Sequence, residues 1–297
     1  MPSGILLLDK PRGLSSNAAL QRVRAQFGRE KGGHVGSLDP LATGMLPICL
    51  GEATKVAGEI VAGRKCYRFT VALGARTATG DAEGAVIEQL PVPPLERAHI
   101  ESVLGRFVGH GQQVPPMYSA LKQAGRPLYR LARAGVTVAR APRSIEVSRL
   151  SVLALERETL ELEVLCSKGT YVRVLAEDIA AALGTLGHVR VLRREYVEPF
   201  AREPMHTLES LEAACTSGQW PPLLPVDRPL EHLPAVQLEP AKARRLCQGQ
   251  PVAAPDGPIG ARVRLYEGEK FLGIGETDLA GAVRPRRLLK FESRAED

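Results

Sequence analysis

The spacing of hydrophobic residues predicts three strands in the first two thirds of the chain. Residues 4–8 form a short, continuous apolar run, which is typical of a buried strand. In residues 67–73 and 159–166 every second residue is apolar, so each segment is expected to turn one face toward a core. The inner faces would carry Tyr67, Phe69, Val71 and Leu73, and Leu160, Leu162, Val164 and Cys166.

Apolar residues three and four positions apart predict helices between these strands. The first helix is expected to start after the capping residues Ser15-Ser16-Asn17 and to end at Gly28. Residues 95–108, 126–134 and about 171–183 have the same spacing, and glycines follow the last two of them. The segment 29–47 is rich in glycine and charge and predicts a long loop, which is usually functional or mobile.

Prolines accumulate between residues 199 and 234, and this change in composition predicts a domain boundary. We place a first domain at residues 1–232 and a second at residues 233–297. In the second, a short basic helix (241–247) precedes strands at 262–266 and 271–275 and a basic strand at 284–291. Brief strands separated by glycines are typical of a compact β-barrel appended to a larger domain.

The charge distribution favours an anionic partner. The net charge is +6 and the pI about 9.2, so nucleic acid is the leading candidate and a membrane surface the second. Residues 122–149 carry seven basic residues and one acidic residue among glycine and proline turns, which suits a phosphate-binding surface. Charge alone is equally compatible with a merely basic protein.

The cysteines and the apolar runs limit the cellular compartments in which we expect the protein. The five cysteines form no CxxC pair and are odd in number, which argues against a disulfide framework and a zinc site and favours a reducing cytoplasm. The N-terminal apolar run is too short for a signal peptide, and no run of about 18 apolar residues exists, so no segment is expected to span a membrane. Nucleic acid being the leading candidate, we expect no membrane partner.

The dipeptide Asp39-Pro40 is the first candidate for chemistry. Pro40 disfavours a helical conformation at Asp39, and nearby glycines let a ligand approach the backbone closely. On these local features a simple turn is the more economical interpretation. A phosphate-binding loop is excluded because Gly28 to Gly33 lacks the Gly-Lys-Ser/Thr ending, and a metal pair of His34 and Asp39 lacks further ligands.

A set of motifs in fixed order favours a chemical role for Asp39-Pro40 over a simple turn. The chain resembles the TruB family of pseudouridine synthases at Lys10–Asn17 with Gly33–Pro47, Tyr67–Gly74, Thr77–Gly84, Pro115–Lys122 and Cys166–Arg173. The C-terminal residues 283–288 resemble the small RNA-binding PUA-like domain of bacterial members. Val35 and Ala78 depart from the family pattern but do not touch the expected chemistry.

The resemblance implies a fold and an activity. The fold would be α+β, with a mixed, largely antiparallel central sheet, flanking helices and a small C-terminal PUA-like β-barrel. The activity would be isomerisation of uridine 55 in the T-arm of tRNA to pseudouridine on a flipped-out nucleotide. This reaction needs no cofactor, nucleotide or metal. We expect a cytoplasmic enzyme, acting as a monomer on tRNA.

The resemblance also implies roles for individual residues. Asp39 would be the nucleophile, Arg173 would pair with it and keep its pKa low, and Tyr67 would stack on the uracil and serve in removal of the C5 proton. The remaining residues expected to contact the base or the RNA are His34, Asp81, Tyr171, Leu192, Lys10, Pro11 and Lys122. Ordinary alternatives are a core role for Tyr67 and Leu192, a turn for Asp81, and solvated surface positions for Arg173 and the lysines.

Three questions stay open at this point. Asp39 could form a covalent adduct or remove a sugar proton. The basic stretch 122–149 and the C-terminal domain also fit an RNA chaperone that refolds tRNA by opening the T-arm, which can coexist with catalysis. A guide-RNA-dependent specificity is a weaker alternative, because the C-terminal domain is short and no long tails are present.

Overall fold

The computed structural model describes residues 3–29, 31–123, 125–254 and 258–290. The helices are α1 (Ser16–Gln26), α2 (Ala57–Ala62), α3 (Arg97–Gly105), α4 (Leu128–Arg133), α5 (Val172–Ala182), α6 (Leu208–Ser217) and α7 (Pro240–Cys247). The strands of the N-terminal half are β1 (Gly4–Lys10), β2 (Gly32–His34), β3 (Thr43–Leu50), β4 (Lys65–Leu73), β5 (Ala75–Thr77), β6 (Val86–Gln89), β7 (Gly109–Gln113), β8 (Lys122–Gln123), β9 (Arg126–Pro127) and β10 (Arg143–Leu155). They are followed by β11 (Thr159–Cys166), β12 (Gly187–Val197), β13 (Ala235–Gln237), β14 (Val252–Ala253), β15 (Arg262–Glu267), β16 (Lys270–Thr277) and β17 (Ala282–Leu288). Short 3-10 turns lie at Gly51–Lys55 and Arg228–Leu230.

A large sheet organises the first 200 residues. Its strands run in the order β1-β3-β12-β4-β11-β10-β7, and β2 pairs with β3 off this path. The β3–β12 pair is parallel, whereas the other neighbouring strands of this sheet are antiparallel. The mixed, largely antiparallel sheet expected from the resemblance is confirmed.

Hydrophobic residues cover both faces of this sheet. Leu6 and Leu8 of β1 belong to a cluster with β4, β11 and α5, whereas Ile5 and Leu7 belong to a second cluster on the other side. This explains why residues 4–8 form a continuous apolar run, since a strand buried on both faces needs no alternation. The alternating residues of β4 and β11 face the first cluster as predicted.

The predicted helices are present with adjusted ends. The Oγ of Ser15 caps α1 by accepting a hydrogen bond from the backbone N–H of Ala18 at 3.1 Å, and Gly28 follows the helix with a positive φ. Helices α3 and α4 are shorter than predicted, because Phe107 lies beyond α3 and residues 126–127 form β9. The expected loop 29–47 is wrong in part, since β2 and the start of β3 lie within it.

The C-terminal residues form a second, smaller unit. Its sheet runs β13-β15-β16-β17-β14, and α7 packs on it through a separate core that includes Leu246, Val263 and Val283. This half-barrel matches the expected PUA-like domain, and the predicted strands around the turn 267–269 are confirmed. Phe291, the last residue of the predicted basic strand, lies outside the described residues.

The two units contact each other directly. Ile274 of β16 packs into the second cluster of the main sheet, and the hydroxyl of Tyr266 donates a hydrogen bond to Asp227 at 2.5 Å. The guanidinium of Arg262 forms an ion pair with Glu59 at 2.6 Å. The boundary at residues 232 and 233 stays a prediction. Among the residues that the structure describes, no helix has the length and apolar character needed to span a bilayer.

Candidate active site

Asp39 lies in the connection between β2 and β3, which we call the aspartate loop (residues 35–42). Backbone contacts hold this loop on both sides of Asp39. The Oγ of Ser16 accepts a hydrogen bond from the N–H of Leu38 at 2.7 Å, and the N–H of Gly13 donates to the carbonyl of Pro40 at 2.8 Å. The loop is therefore anchored to the connection between β1 and α1, and the position of Asp39 is fixed by ordered backbone.

Lys10 supports the same anchor from inside. Its side chain is fully buried, and its Nζ donates to the carbonyls of Pro11 at 2.9 Å and Leu14 at 2.8 Å. Burial lowers the pKa of Lys10 to about 8, although Asp39 counteracts this effect. The structure thus places Lys10 and Pro11 beneath the aspartate loop.

Arg173 forms an ion pair with Asp39. It is the second residue of α5, and its Nε lies 3.0 Å from Oδ2 of Asp39. The other guanidinium nitrogens donate to the carbonyls of Thr79 at 2.8 Å and Tyr118 at 2.6 Å. These three contacts fix the planar group in one orientation, and the side chain is almost fully buried. The predicted pairing is therefore present in the structure.

The expectation that the pKa of Asp39 stays low is wrong in direction. The Asp39 side chain keeps 42% of its surface exposed, yet the surrounding protein excludes enough water to raise the pKa of the carboxyl above its ordinary value. Arg173 and Lys10 lower that pKa, and Asp81 raises it. Desolvation is the largest of these effects, so the arginine offsets only part of it.

A cleft of about 420 Å³ opens beside this ion pair. It is lined by residues of the aspartate loop, by Val61 and Lys65, by Tyr67, by residues 119–121 and 167–173, and by Leu192 and Arg194. Of the residues predicted for the site, the cleft brings together Asp39, Tyr67, Tyr171, Arg173 and Leu192. Tyr67 projects from β4, and burial raises the pKa of its phenol.

Asp81 lies behind the guanidinium rather than in the lining of this cleft. Its Oδ2 is 3.9 Å from Nε of Arg173, and its Oδ1 accepts hydrogen bonds from Thr79 Oγ1 at 2.6 Å and from the N–H of Glu83 at 3.1 Å. The side chain is buried. The structure therefore shows Asp81 in a turn that also faces the ion pair.

His34 and Lys122 are also outside the cleft lining. His34 belongs to β2, and burial together with Arg194 lowers the pKa of its ring. Its Nδ1 is buried without a hydrogen-bond partner among the described residues. Lys122 is exposed on the small hairpin of β8 and β9. Contact of either residue with RNA stays a prediction.

Two basic residues of the cleft were missed by the sequence reasoning. Arg194 is buried in β12, and Lys65 is buried at the start of β4, where its Nζ donates to the carbonyl of Val61 at 2.6 Å. Burial lowers the pKa of Lys65 to about 8, and Arg194 contributes to this shift. Neither residue lies in a motif quoted above, although Lys65 precedes the motif that begins at Tyr67 by two positions.

The cleft presents one carboxylate, that of Asp39, together with the guanidinium groups of Arg173 and Arg194 and the phenols of Tyr67 and Tyr171. A glycosidase would usually need two carboxylates and a water molecule. Asp81 is an unsuitable second carboxylate, because it is buried and already bonded within its own turn. Within the described ranges, no group of three or more His, Cys, Asp and Glu side chains could hold a metal ion.

Comparison with solved structures shows the fold. The chain superposes with a TM-score of 0.71 on a chain of an H/ACA ribonucleoprotein bound to a substrate RNA containing 2'-deoxyuridine, at 21% identity, covering 98% of this chain and 86% of the other. A chain of the Cbf5-Nop10-Gar1 complex gives the same TM-score at 23% identity, covering 97% and 84%. The chain therefore shares the overall fold of these two chains.

Comparison of sequences is more specific. Residues 24–172 match the N-terminal domain of TruB family pseudouridylate synthases, residues 173–232 the C-terminal domain of tRNA pseudouridylate synthase B, and residues 234–289 the C-terminal region of pseudouridine synthase II TruB. The tRNA pseudouridine synthase B of Stutzerimonas stutzeri is 50% identical, over 98% of this chain and 96% of the relative. That of Chromohalobacter salexigens is 48% identical, over 99% and 96%. The chain belongs to the TruB family of pseudouridine synthases.

Proposed function

We propose that this protein isomerises uridine 55 in the T-arm loop of tRNA to pseudouridine. The observation that carries the proposal is the Asp39–Arg173 ion pair, with Nε and Oδ2 3.0 Å apart, at the edge of a cleft that also contains Tyr67. Relatives about 50% identical over nearly the whole chain are named tRNA pseudouridine synthase B, which supports the same assignment.

The reaction requires a bond exchange at one nucleotide. The N-glycosidic bond of uridine breaks, the detached uracil turns within the site, and C5 bonds to C1′. The C5 proton then leaves and N1 gains a proton, so atoms and electrons balance without an oxidant or a water molecule. Both reacting carbon atoms are inaccessible in a folded T-loop, and the nucleotide therefore has to be extruded into the cleft.

The residues have separate roles in this proposal. Asp39, as the carboxylate, acts at the sugar or base, and Arg173 orients it. Tyr67 stacks on the uracil and serves in removal of the C5 proton. Tyr171 and Leu192 hold the extruded base from the other walls of the cleft, because both side chains line it. His34 and Asp81 contribute from outside the lining, and Lys10 and Pro11 support the aspartate loop.

The direct test is conversion of a T-arm stem-loop by purified protein without cofactor. Wild type is expected to convert the target uridine, and Asp39→Asn to lose this activity while still binding the RNA. Asp9→Asn is the matched control, since Asp9 also pairs with an arginine, Arg193, at 2.9 Å but lies outside the cleft. An inactive wild type, or a fully active Asp39→Asn variant, would rule the proposal out.

The basic segment 122–149 supplies the phosphate contacts in this proposal. Its lysine and arginine side chains are mostly exposed, although Arg149 pairs with Glu163 at 2.6 Å. Lys122→Ala is expected to reduce the slope of log Kd against log salt by roughly 0.7–0.9, because one phosphate contact releases about that fraction of a counterion. An unchanged slope would show that Lys122 does not neutralise a phosphate.

The same exposed charge supports a second activity, assistance of tRNA folding. Opening of the T-arm needs binding but no chemistry. Asp39→Asn should therefore still accelerate recovery of correctly folded tRNA, measured by aminoacylation after denaturation. Failure of both wild type and Asp39→Asn to do so would limit the protein to isomerisation.

We also propose that the protein acts as a cytoplasmic monomer made of a catalytic domain, residues 1–232, and an RNA-binding domain, residues 233–297. The separate core of the C-terminal unit supports the division into two domains. Light scattering of the purified protein tests the monomer, and limited proteolysis tests the boundary.

A further inference from the structure

Arg194 is a buried cation to which the roles above assign nothing. Its side chain is 1% exposed, and among the described residues it pairs with backbone carbonyls rather than with a carboxylate. An uncompensated charge in a protein interior is costly, so packing alone would favour a neutral residue at this position. The position of the guanidinium indicates a role other than packing.

Arg194 connects both ends of the aspartate loop. Its Nη2 donates to the carbonyl of Gly36 at 2.8 Å, and its Nε donates to the carbonyl of Met45 at 2.7 Å. Gly36 precedes Asp39 by three residues, and Met45 lies in β3 just after the loop. A single planar group thus holds the entry and the exit of the segment that presents the carboxylate.

The same guanidinium faces the phenol of Tyr67. Arg194 of β12 and Tyr67 of β4 are directly opposed in the antiparallel ladder, so their side chains leave the same face of the sheet. The charged and titratable groups that face the phenol are Arg194 from β12, Cys166 from β11 and Asp39 from the aspartate loop. Arg194 lowers the pKa of Tyr67, whereas burial and the other two groups raise it.

We propose that Arg194 is a positioning residue for the isomerisation, which fixes the Asp39 loop and Tyr67 relative to each other so that both reach one nucleotide. This inference rests on the proposed function. Arg194 acts through two other residues and through its charge, and neither effect requires contact with RNA. The two effects are separable, because lysine keeps the charge but cannot reproduce the planar fork.

The experiment compares Arg194→Lys and Arg194→Gln with two controls, Arg193→Lys and Arg193→Gln. Arg193 is the next residue of the same strand and pairs with Asp9 outside the cleft. Both Arg194 variants are expected to lose kcat by about 100-fold with little change in KM, since small displacements of reacting groups have effects of this size. The Arg193 variants should retain wild-type kcat.

The second readout is the ionisation of Tyr67, followed by ultraviolet absorbance of the phenolate and identified by its absence in Tyr67→Phe. Arg194→Gln removes the cation, so the pH at which Tyr67 ionises should rise, and the pH profile of kcat should move with it. Arg194→Lys should leave that pH nearly unchanged. If Arg194→Gln does not fold, the kcat and KM of Arg194→Lys decide the question.

The outcomes separate this inference from the proposed function. Wild type that fails to convert the T-arm uridine refutes the function itself. Active wild type together with Arg194 variants of undiminished kcat and unmoved Tyr67 ionisation refutes the positioning role alone. A lower melting temperature with a smaller active fraction, but normal kcat per active molecule, would likewise reduce Arg194 to a purely structural residue.

Discussion

Replacing Arg173 by methionine removes the guanidinium whose Nε lies 3.0 Å from Oδ2 of Asp39. Two unit charges at this distance attract each other by about 1.4 kcal/mol under full solvent screening and by about 5.5 kcal/mol at an effective dielectric constant near 20. The Asp39 side chain is 42% exposed, which favours the lower part of this range. A loss of about 2 kcal/mol is a reasonable working value, and it corresponds to about 1.5 pH units in the carboxyl pKa.

The direction of the change in the Asp39 pKa follows from the charge of the carboxyl, because Arg173 stabilises only the ionised form. Burial already raises the pKa of Asp39, and Arg173 opposes this increase, so removing the arginine raises the pKa further. Catalysis needs the ionised carboxylate in the proposed mechanism. The acid limb of the kcat/KM profile should therefore move to higher pH by about 1.5 units in Arg173→Met. Above that limb, displacement of Asp39 should still reduce kcat by about 100-fold.

The assay is release of tritium from C5-labelled uridine in a T-arm stem-loop, because the C5 proton is lost when C5 bonds to C1′. Arg173→Lys keeps the charge, so its acid limb should move less than that of Arg173→Met. Arg193→Met is the matched control, since Arg193 pairs with Asp9 at 2.9 Å away from the cleft. Coincident acid limbs for wild type and Arg173→Met would refute the electrostatic reasoning.

Three further predictions concern the cleft and its support. Tyr67→Phe should lower kcat by about 100-fold to 10,000-fold without weakening RNA binding, measured by single-turnover kinetics and filter binding, and normal kcat would remove Tyr67 from proton transfer. Gly44→Ala places a Cβ 2.1 Å from the carbonyl oxygen of Arg194 at a positive φ and should destabilise folding by at least about 2 kcal/mol in urea titrations; Gly58→Ala, which meets nothing within 4 Å, should be nearly neutral. The pKa of Lys10 falls from 10.5 to about 8 on folding, so the unfolded chain binds more protons between these pH values and stability should rise with pH there. Relative to Lys10→Met, the free energy of unfolding of the wild type should rise by about 3 kcal/mol over this pH range. Parallel curves of unfolding free energy against pH for the two proteins would contradict the prediction.

The sequence predicted the parts of the fold whose patterns are regular. β4 and β11 alternate without interruption, and they pair with each other along their whole length in the centre of the sheet. The capping side chain of Ser15 and the glycine after α1 are local signals with local consequences. The sequence signals of these elements are local, which is why their positions could be predicted from a few neighbouring residues.

Strand β12 shows why other elements were missed. Its pairing with β4 shifts register between Val189 and Val191 and again between Arg194 and Tyr196. Each bulge adds a residue and moves the inner face by one position, so Val189, Leu192 and Val197 are all buried although they are not two apart. A search for simple alternation fails on such a strand, and Arg194 was overlooked with it.

The pairing of residues in the candidate site could be predicted from the sequence, but the direction of the Asp39 pKa shift could not. Order and identity of the motifs led to the pairing of Asp39 with Arg173, residues 134 positions apart that meet at 3.0 Å. The direction of the Asp39 pKa was missed, because desolvation depends on how the loop, β4 and α5 close around the carboxyl. No linear pattern of residues reports that enclosure.

The central claim is most directly tested by mapping pseudouridine in tRNA from cells that lack this protein. Complementation with wild type should restore pseudouridine at position 55 of the T-arm, and complementation with Asp39→Asn, expressed at the same level, should not. Pseudouridine at that position in cells lacking the protein, or its restoration by Asp39→Asn, would contradict the account.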